Sequence, residues 1–195
     1  MSDVMFSPSV KAIQQQRGSR AKFAARGEWP DRVTPELAEF IAAQTSFFLA
    51  TASADGQPYI QHRGGPAGFL RVLDDRTLAF ADFRGNRQFI TLGNLAENPK
   101  AYIFLMDYAH RRRIKLWGRA RVVDDDPALL QSLTEEGYKA IPEQAILFTI
   151  EAWDANCPQH IPQRFEAKDV AAAIAVRDRR IAALEEEVAR LTLAR

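Results

Sequence analysis

Apolar residues change period several times along this chain, and each change marks an element. From Arg113 to Val123 the alternation is strict. Ile114, Leu116, Gly118, Ala120 and Val122 share one face; Arg113, Lys115, Trp117, Arg119 and Arg121 share the other, the period of a half-buried strand. Apolar runs at Ser46 to Ala52, Ala101 to Met106 and Ala145 to Trp153 predict buried strands. Asp55-Gly56 is a hairpin signal that makes Pro58 to His62 the partner of the first run. Phe69 to Leu73 and Thr77 to Ala81 form a second pair around Asp74-Asp75.

Helical signals are fewer. Thr34-Pro35-Glu36 supplies an N-cap, a proline at the first position and an early acid, ahead of an apolar stripe at Leu37, Phe40 and Ile41. Phe89, Leu92 and Leu95 predict a helix from Arg87 to about Glu97, stopped at Asn98-Pro99. Another runs from Pro127 to about Tyr138. The first thirty residues are polar, charged and aperiodic, and read as an extended arm. Strands joined mostly by tight turns, with few crossover helices, predict a mainly β fold: an antiparallel barrel with flanking helices.

The tail from Ala167 to Arg195 changes period again. Ile174, Ile181 and Val188 fall seven apart, as do Leu184 and Leu191, with Arg177 as the one polar break in the seam. Arg180 and Glu185 fall where they would attract across a parallel dimer. A single amphipathic helix packed on its own subunit fits the same stripe. The expected organisation is an arm over residues 1–33, a barrel domain over 34–166 and a heptad helix over 167–195.

Composition narrows the setting. With 195 residues, 47% hydrophobic and 26% charged, the chain suits one globular domain plus an appendage. A net charge of +1 gives no global pull toward nucleic acid or acidic membranes. One cysteine, Cys157, excludes an internal disulfide framework and suits a reducing cytoplasm. No signal-peptide core and no membrane-length apolar run is visible, so a cytoplasmic protein is expected.

Candidate chemistry concentrates in three places. Arg84-Gly85-Asn86-Arg87-Gln88 enters the helix that follows it. Free N–H groups, a helix dipole and two guanidinium groups there suit a phosphate; a solvated loop carrying two surface arginines is the plain alternative. In Gln61-His62-Arg63-Gly64-Gly65 a strand turns polar and then glycine-rich, which suits close approach of a flat ligand or simply a polar face before a turn. The basic run His110 to Arg121 suits a solvated face, an anion pocket or, less well, a nucleic-acid surface. Cys157 and His160 sit three apart in a proline-interrupted loop, a poor nucleophile–base arrangement. None of the three histidines has a metal-ligand partner at helical spacing, and no P-loop, Gly-x-Gly-x-x-Gly or Gly-x-Ser-x-Gly motif is present.

Taken in order, these segments resemble the pyridoxamine 5′-phosphate oxidase-like flavoproteins, the FMN-binding split-barrel family. The resemblance covers roughly Thr45 to Met106 and continues through Trp117-Gly118. It is nearest to the branch of flavin-nucleotide-binding proteins in which Arg63-Gly64-Gly65, Gly68 to Asp75 and Gly85-Asn86-Arg87 recur. It implies an antiparallel split β-barrel, bound FMN and a homodimer with the flavin at the subunit interface. It also implies redox chemistry on a small molecule, with NAD(P)H as a candidate donor. Asn86-Arg87-Gln88 matches the family's Ser-Arg-Lys phosphate loop without its lysine. Gln61 to Gly65 matches the strand along the flavin, and Arg113 the cross-dimer glutamine. Trp153 and Arg164 approach the C-terminal Trp…Arg pair, while the vitamin B6 phosphate set is missing. The cofactor contacts so implied are Gln61, His62, Arg63, Gly64, Asp82, Arg84, Gly85, Asn86, Arg87, Gln88, Arg113, Trp153 and Arg164. No metal is expected. A non-catalytic flavin or haem-type ligand carrier or redox sensor on the same scaffold is the alternative.

Overall fold

The computed structural model describes residues 4–155 and 158–193. Seven strands form one sheet: β1 Ser46–Ala52, β2 Pro58–Gly64, β3 Arg71–Val72, β4 Thr77–Phe83, β5 Lys100–Asp107, β6 Arg112–Val123 and β7 Pro142–Ala155. The helices are α1 Pro8–Gln16, α2 Arg20–Ala24, α3 Pro35–Ala42, α4 Ile90–Glu97, α5 Pro127–Ser132 and α6 Ala167–Leu193. The chain divides into two compact units, Met1–Met106 with Arg113–Cys157 and Asp107–Arg112 with Pro158–Arg195. The second unit therefore takes up residues from Pro158 onward, inside the expected 34–166 domain.

The first unit holds the barrel. Its strand order is β2-β1-β5-β6-β7-β4-β3, with antiparallel registers that run Ser46↔Gly64 to Ala52↔Pro58 between β1 and β2 and Thr77↔Thr149 onward between β4 and β7. Asp55-Gly56 does turn the first hairpin. Gly56 takes φ +91°, which costs glycine little, and its N–H reaches the Ser53 carbonyl at 3.0 Å. Strands β1 and β4 lie four places apart in the sheet, yet the Phe47 ring meets Phe80 edge-on at 5.0 Å and stacks on Phe69 at 5.5 Å. The sheet thus curls over one core without closing, which is a split barrel.

That core follows the sequence pattern. Phe47 and Leu49, Leu78 and Phe80, Ile103 and Leu105, Ile114 and Leu116, and Ile146, Phe148 and Ile150 are buried together with Leu37, Phe40 and Ile41 of α3. Helix α3 opens on Thr34, whose hydroxyl accepts from the Leu37 N–H at 3.2 Å. Gly118 sits at a register shift between β6 and β7, where a Cβ would stand 2.1 Å from the Thr149 carbonyl oxygen. Glycine is required there by contact, not by φ.

Four expectations change. The first thirty residues are not an extended arm: Ser7 caps α1, accepting from the Val10 N–H at 3.3 Å with Pro8 in the first turn, and α2 follows. The Ser7-Pro8 signal is the same as Thr34-Pro35, and Phe6 packs edge-on against both Phe23 and Trp29. The strand expected over Phe69 to Leu73 shrinks to Arg71–Val72, because the chain is still turning at its start: Gly68 takes φ +85° and the Phe69 N–H bonds the Pro66 carbonyl at 3.0 Å, a local turn and not a ladder. Helix α4 starts at Ile90 instead of Arg87, since Arg87 and Phe89 take φ +59° and +56°. Helix α5 stops at Ser132, short of Tyr138.

In the second unit α6 is a continuous helix of 27 residues. Among its described residues no helix of the chain is long and apolar enough to cross a membrane.

Candidate functional site

The pleat of β2 divides the residues expected to face a ligand. Tyr59, Gln61 and Arg63 turn to one side, and with Asp82, Phe83, Glu143, the 85–89 loop and the first turn of α4 they line a groove. A second hollow, of about 180 Å³, shares Gln61, Arg63, Phe83 and Gly85 with it and reaches Gly64, Phe69 and Phe80. His62 lies on the other side of the pleat, with its ring edge-on to Phe48 at 5.6 Å, and lines only the second hollow.

Charge in the groove is largely neutralised from within. Arg63 is ion-paired to Asp82, both side chains being 12% exposed, and its guanidinium carbon stands 5.7 Å from the Phe80 ring centre. The other Asp82 oxygen accepts from Gln144 Nε2 at 2.8 Å. Arg84 turns to Glu143, Nε to Oε1 at 2.8 Å, so the first arginine of the loop is held by a groove carboxylate and does not line the groove. Arg87 has no carboxylate partner among the described residues; its guanidinium lies 5.5 Å from the Phe89 ring.

The loop is built to present that cation. Asn86 Oδ1 accepts from the Gln88 N–H at 3.1 Å, closing an Asx turn. Arg87 and Phe89 both sit in the left-handed region, which costs a non-glycine residue free energy and is tolerated where the surroundings over-determine it. Phe89 gives α4 no side-chain cap, so the N–H groups of its first turn keep the open end of the ladder. At the second residue of the helix the Thr91 hydroxyl donates to Gln61 Oε1 at 2.8 Å, tying α4 to β2. Arg63 Nε is buried without an acceptor. A buried donor left unpaired is uncommon.

Nine expected contacts therefore gather around the groove and its neighbouring hollow: Gln61, His62, Arg63, Gly64, Asp82, Gly85, Asn86, Arg87 and Gln88. Four do not. Arg84 is turned to Glu143. Arg113 stands on β6, three strands from β2, on the charged side of that strand; its Nε is also buried without an acceptor. Trp153, opposite Leu116, gives its indole N–H to the Arg32 carbonyl at 2.8 Å and its backbone N–H to Pro30. Arg164 belongs to the second unit, where its guanidinium covers Tyr108 at 4.7 Å. Cys157 lies outside the described residues. His160 takes φ +63° in the second unit.

Sequence reasoning missed Tyr59, Phe83, Thr91, Glu143 and Gln144. Tyr59 was accessible by the period of two that joins it to Gln61 and Arg63. Glu143 and Gln144 precede an apolar run, and only the β4–β7 register, which sets Asp82 opposite Gln144, brings them to the groove.

A second polar cluster lies around the charged side of β6. Asp154, 8% exposed, receives Lys115 Nζ at 3.0 Å and Arg26 Nη2 at 3.2 Å. Tyr102 meets Trp117 edge-on at 5.1 Å. Burial pushes the Tyr102 phenol well above the ordinary tyrosine range; the Arg113 charge pulls it back and Asp154 adds to the rise.

The model of the family described as pyridoxamine 5′-phosphate oxidase matches residues 33–157. Among solved structures the chain is similar to Group A Streptococcus HupZ, with a TM-score of 0.53 and 21% identity over 68% of this chain and 99% of that one. It is also similar to a Lactobacillus delbrueckii protein provisionally described as a pyridoxamine 5′-phosphate oxidase. There the TM-score is 0.51 at 20% identity, covering 64% of this chain and 95% of the other. An FMN-binding protein from Syntrophomonas wolfei matches at a TM-score of 0.46 and 16% identity, covering 75% and 97%. No curated protein matches the sequence.

Proposed function

The chain belongs to the pyridoxamine 5′-phosphate oxidase family, and on that premise we propose that it is an FMN-binding oxidoreductase that passes hydride or electrons to a small molecule. The observation that carries this reading is the pairing pattern of the groove. Two of its three nearby arginines are held by carboxylates, which leaves Arg87, at the mouth of α4, as the one of the three without a carboxylate partner among the described residues.

The residues present fit the cofactor. Arg87 and the uncapped first turn of α4 suit a phosphate. The unpaired Arg63 Nε and the Gln61 amide, oriented by Thr91, are donors for a ring carrying carbonyl acceptors. Bound FMN would supply the hydride or electron transfer; the protein would hold it, exclude water and tune its charge. We further propose a homodimer in the cytoplasm in which Arg113, with its own unpaired Nε, serves the cofactor of the second copy.

A second reading, a flavin carrier or redox sensor, is favoured by one feature. Both groove carboxylates, Asp82 and Glu143, are already engaged by arginines. One experiment separates the readings. The enzyme, loaded with FMN and mixed anaerobically with NADPH or NADH, should bleach its flavin absorbance and recover it with oxygen or a quinone. Flavin that binds but stays oxidised with either nicotinamide indicates the carrier.

A further inference from the structure

None of the residues of α6 is buried. Ile174, Ile181 and Leu184 are 43–45% exposed and Leu191 54%. Twenty-seven residues make a rod of about 40 Å at 1.5 Å rise per residue. A lone helix with that much apolar surface in water is marginal, since short helices rely on packing of an apolar face. Something should cover the stripe, and its pattern specifies what.

We propose that α6 pairs in parallel with α6 of a second copy of this chain, as a short two-stranded coiled coil. The core positions separate by side-chain shape. The first set, Ile174, Ile181 and Val188, is β-branched throughout; the second holds Leu184 and Leu191, with Val170 one heptad before Arg177. β-Branched residues at a with leucine at d favour two parallel strands. Flanking charge selects the same orientation. In parallel register Arg180 at g meets Glu185 at e of the second copy, twice by symmetry. In the antiparallel register that sets Ile181 against Leu184, Asp178 would face Glu185 as like charges, which offsets the attraction of Arg180 for Glu187 in that same register; the parallel register keeps its attraction without that repulsion.

Arg177 completes the pattern. It occupies a d position, where its aliphatic stem lies in the seam, and its guanidinium stands 3.9 Å from the Asp178 carboxylate. A single polar residue in such a seam lowers stability and fixes register. The α6 pair is therefore a weak, register-specific contact whose occupant is a second copy and not a foreign apolar segment.

Site-directed crosslinking in the full chain, in a Cys157→Ser background, tests this. Leu191→Cys should form a disulfide-linked dimer on mild oxidation at least fivefold faster than Glu186→Cys, which points away from the seam. Arg180→Glu added to Leu191→Cys should slow that crosslink, and adding Glu185→Arg as well should restore it. Equal rates for Leu191→Cys and Glu186→Cys would overturn the pairing. Efficient crosslinking only between Ile174→Cys and Leu191→Cys chains in a mixture would overturn the parallel orientation. Failure of the charge exchange to restore the rate would overturn the Arg180–Glu185 contact. FMN titration of each variant, expected to be unchanged, keeps the result separate from the flavin reading.

Discussion

Arg63 and Asp82 join two strands that share no hydrogen-bonded ladder: β2 is one edge of the sheet, and β4 lies four strands beyond its neighbour β1. Their ion pair spans the split of the barrel. It also sets the wall of the groove, because both residues line it and Gln144 holds the other Asp82 oxygen.

Removing one partner leaves a charge with little access to water. Asp82→Ala is expected to lower unfolding free energy by about 3–5 kcal/mol, the usual cost of stranding one member of a buried pair. Arg63→Met combined with Asp82→Leu should recover most of that loss while still weakening FMN binding. Urea denaturation of the three proteins checks it; a double variant that loses as much as Asp82→Ala, or more, would show that the stranded charge is not the source of the cost.

Gly118→Ala should destabilise the fold by roughly 1–3 kcal/mol or more, as overpacking does. The new methyl meets the Thr149 carbonyl and the Phe148 ring, and neither lies at the end of a flexible chain. Gly93→Ala is the control, because a Cβ there has open space. Thermal melts of both variants decide whether contact, as distinct from loss of glycine, is responsible.

Much of this architecture is legible in the chain. Ser46–Ala52 is the strand that its apolar run predicts, the alternation from Arg113 marks β6, and Thr34-Pro35 starts α3 as its cap signal requires. The arginine loop is legible too, as Arg87 at the approach to a helix. What escapes is what tertiary pairing decides. Nothing local shows that Glu143 will hold Arg84 across 59 residues, or that Asp82 will meet Arg63. The delayed start of α4 depends on left-handed backbone at Arg87 and Phe89, which residue preferences disfavour and the folded loop imposes. Distinguishing Arg87 from Arg84 required the partners.

Tyr102 links structure to alkaline stability. Its phenol in the folded protein ionises above the ordinary value of 10.0. The unfolded chain thus loses that proton first, and the stabilisation, complete below pH 10, fades as pH rises beyond it. Tyr102→Phe should flatten the fall in unfolding free energy between about pH 10 and 11.5. An unchanged slope would mean the phenol ionises alike in both states.

The central claim, that this groove holds FMN with its phosphate on Arg87, is tested most directly by titrating wild-type and Arg87→Ala protein with FMN and with riboflavin. Wild-type protein should bind FMN more tightly than riboflavin. Arg87→Ala should weaken FMN binding by roughly 1.5–3 kcal/mol, the worth of a charged hydrogen bond, and leave riboflavin nearly unaffected. Equal losses for both ligands would place Arg87 in the scaffold and not on the phosphate. Wild-type protein that binds neither would contradict the account.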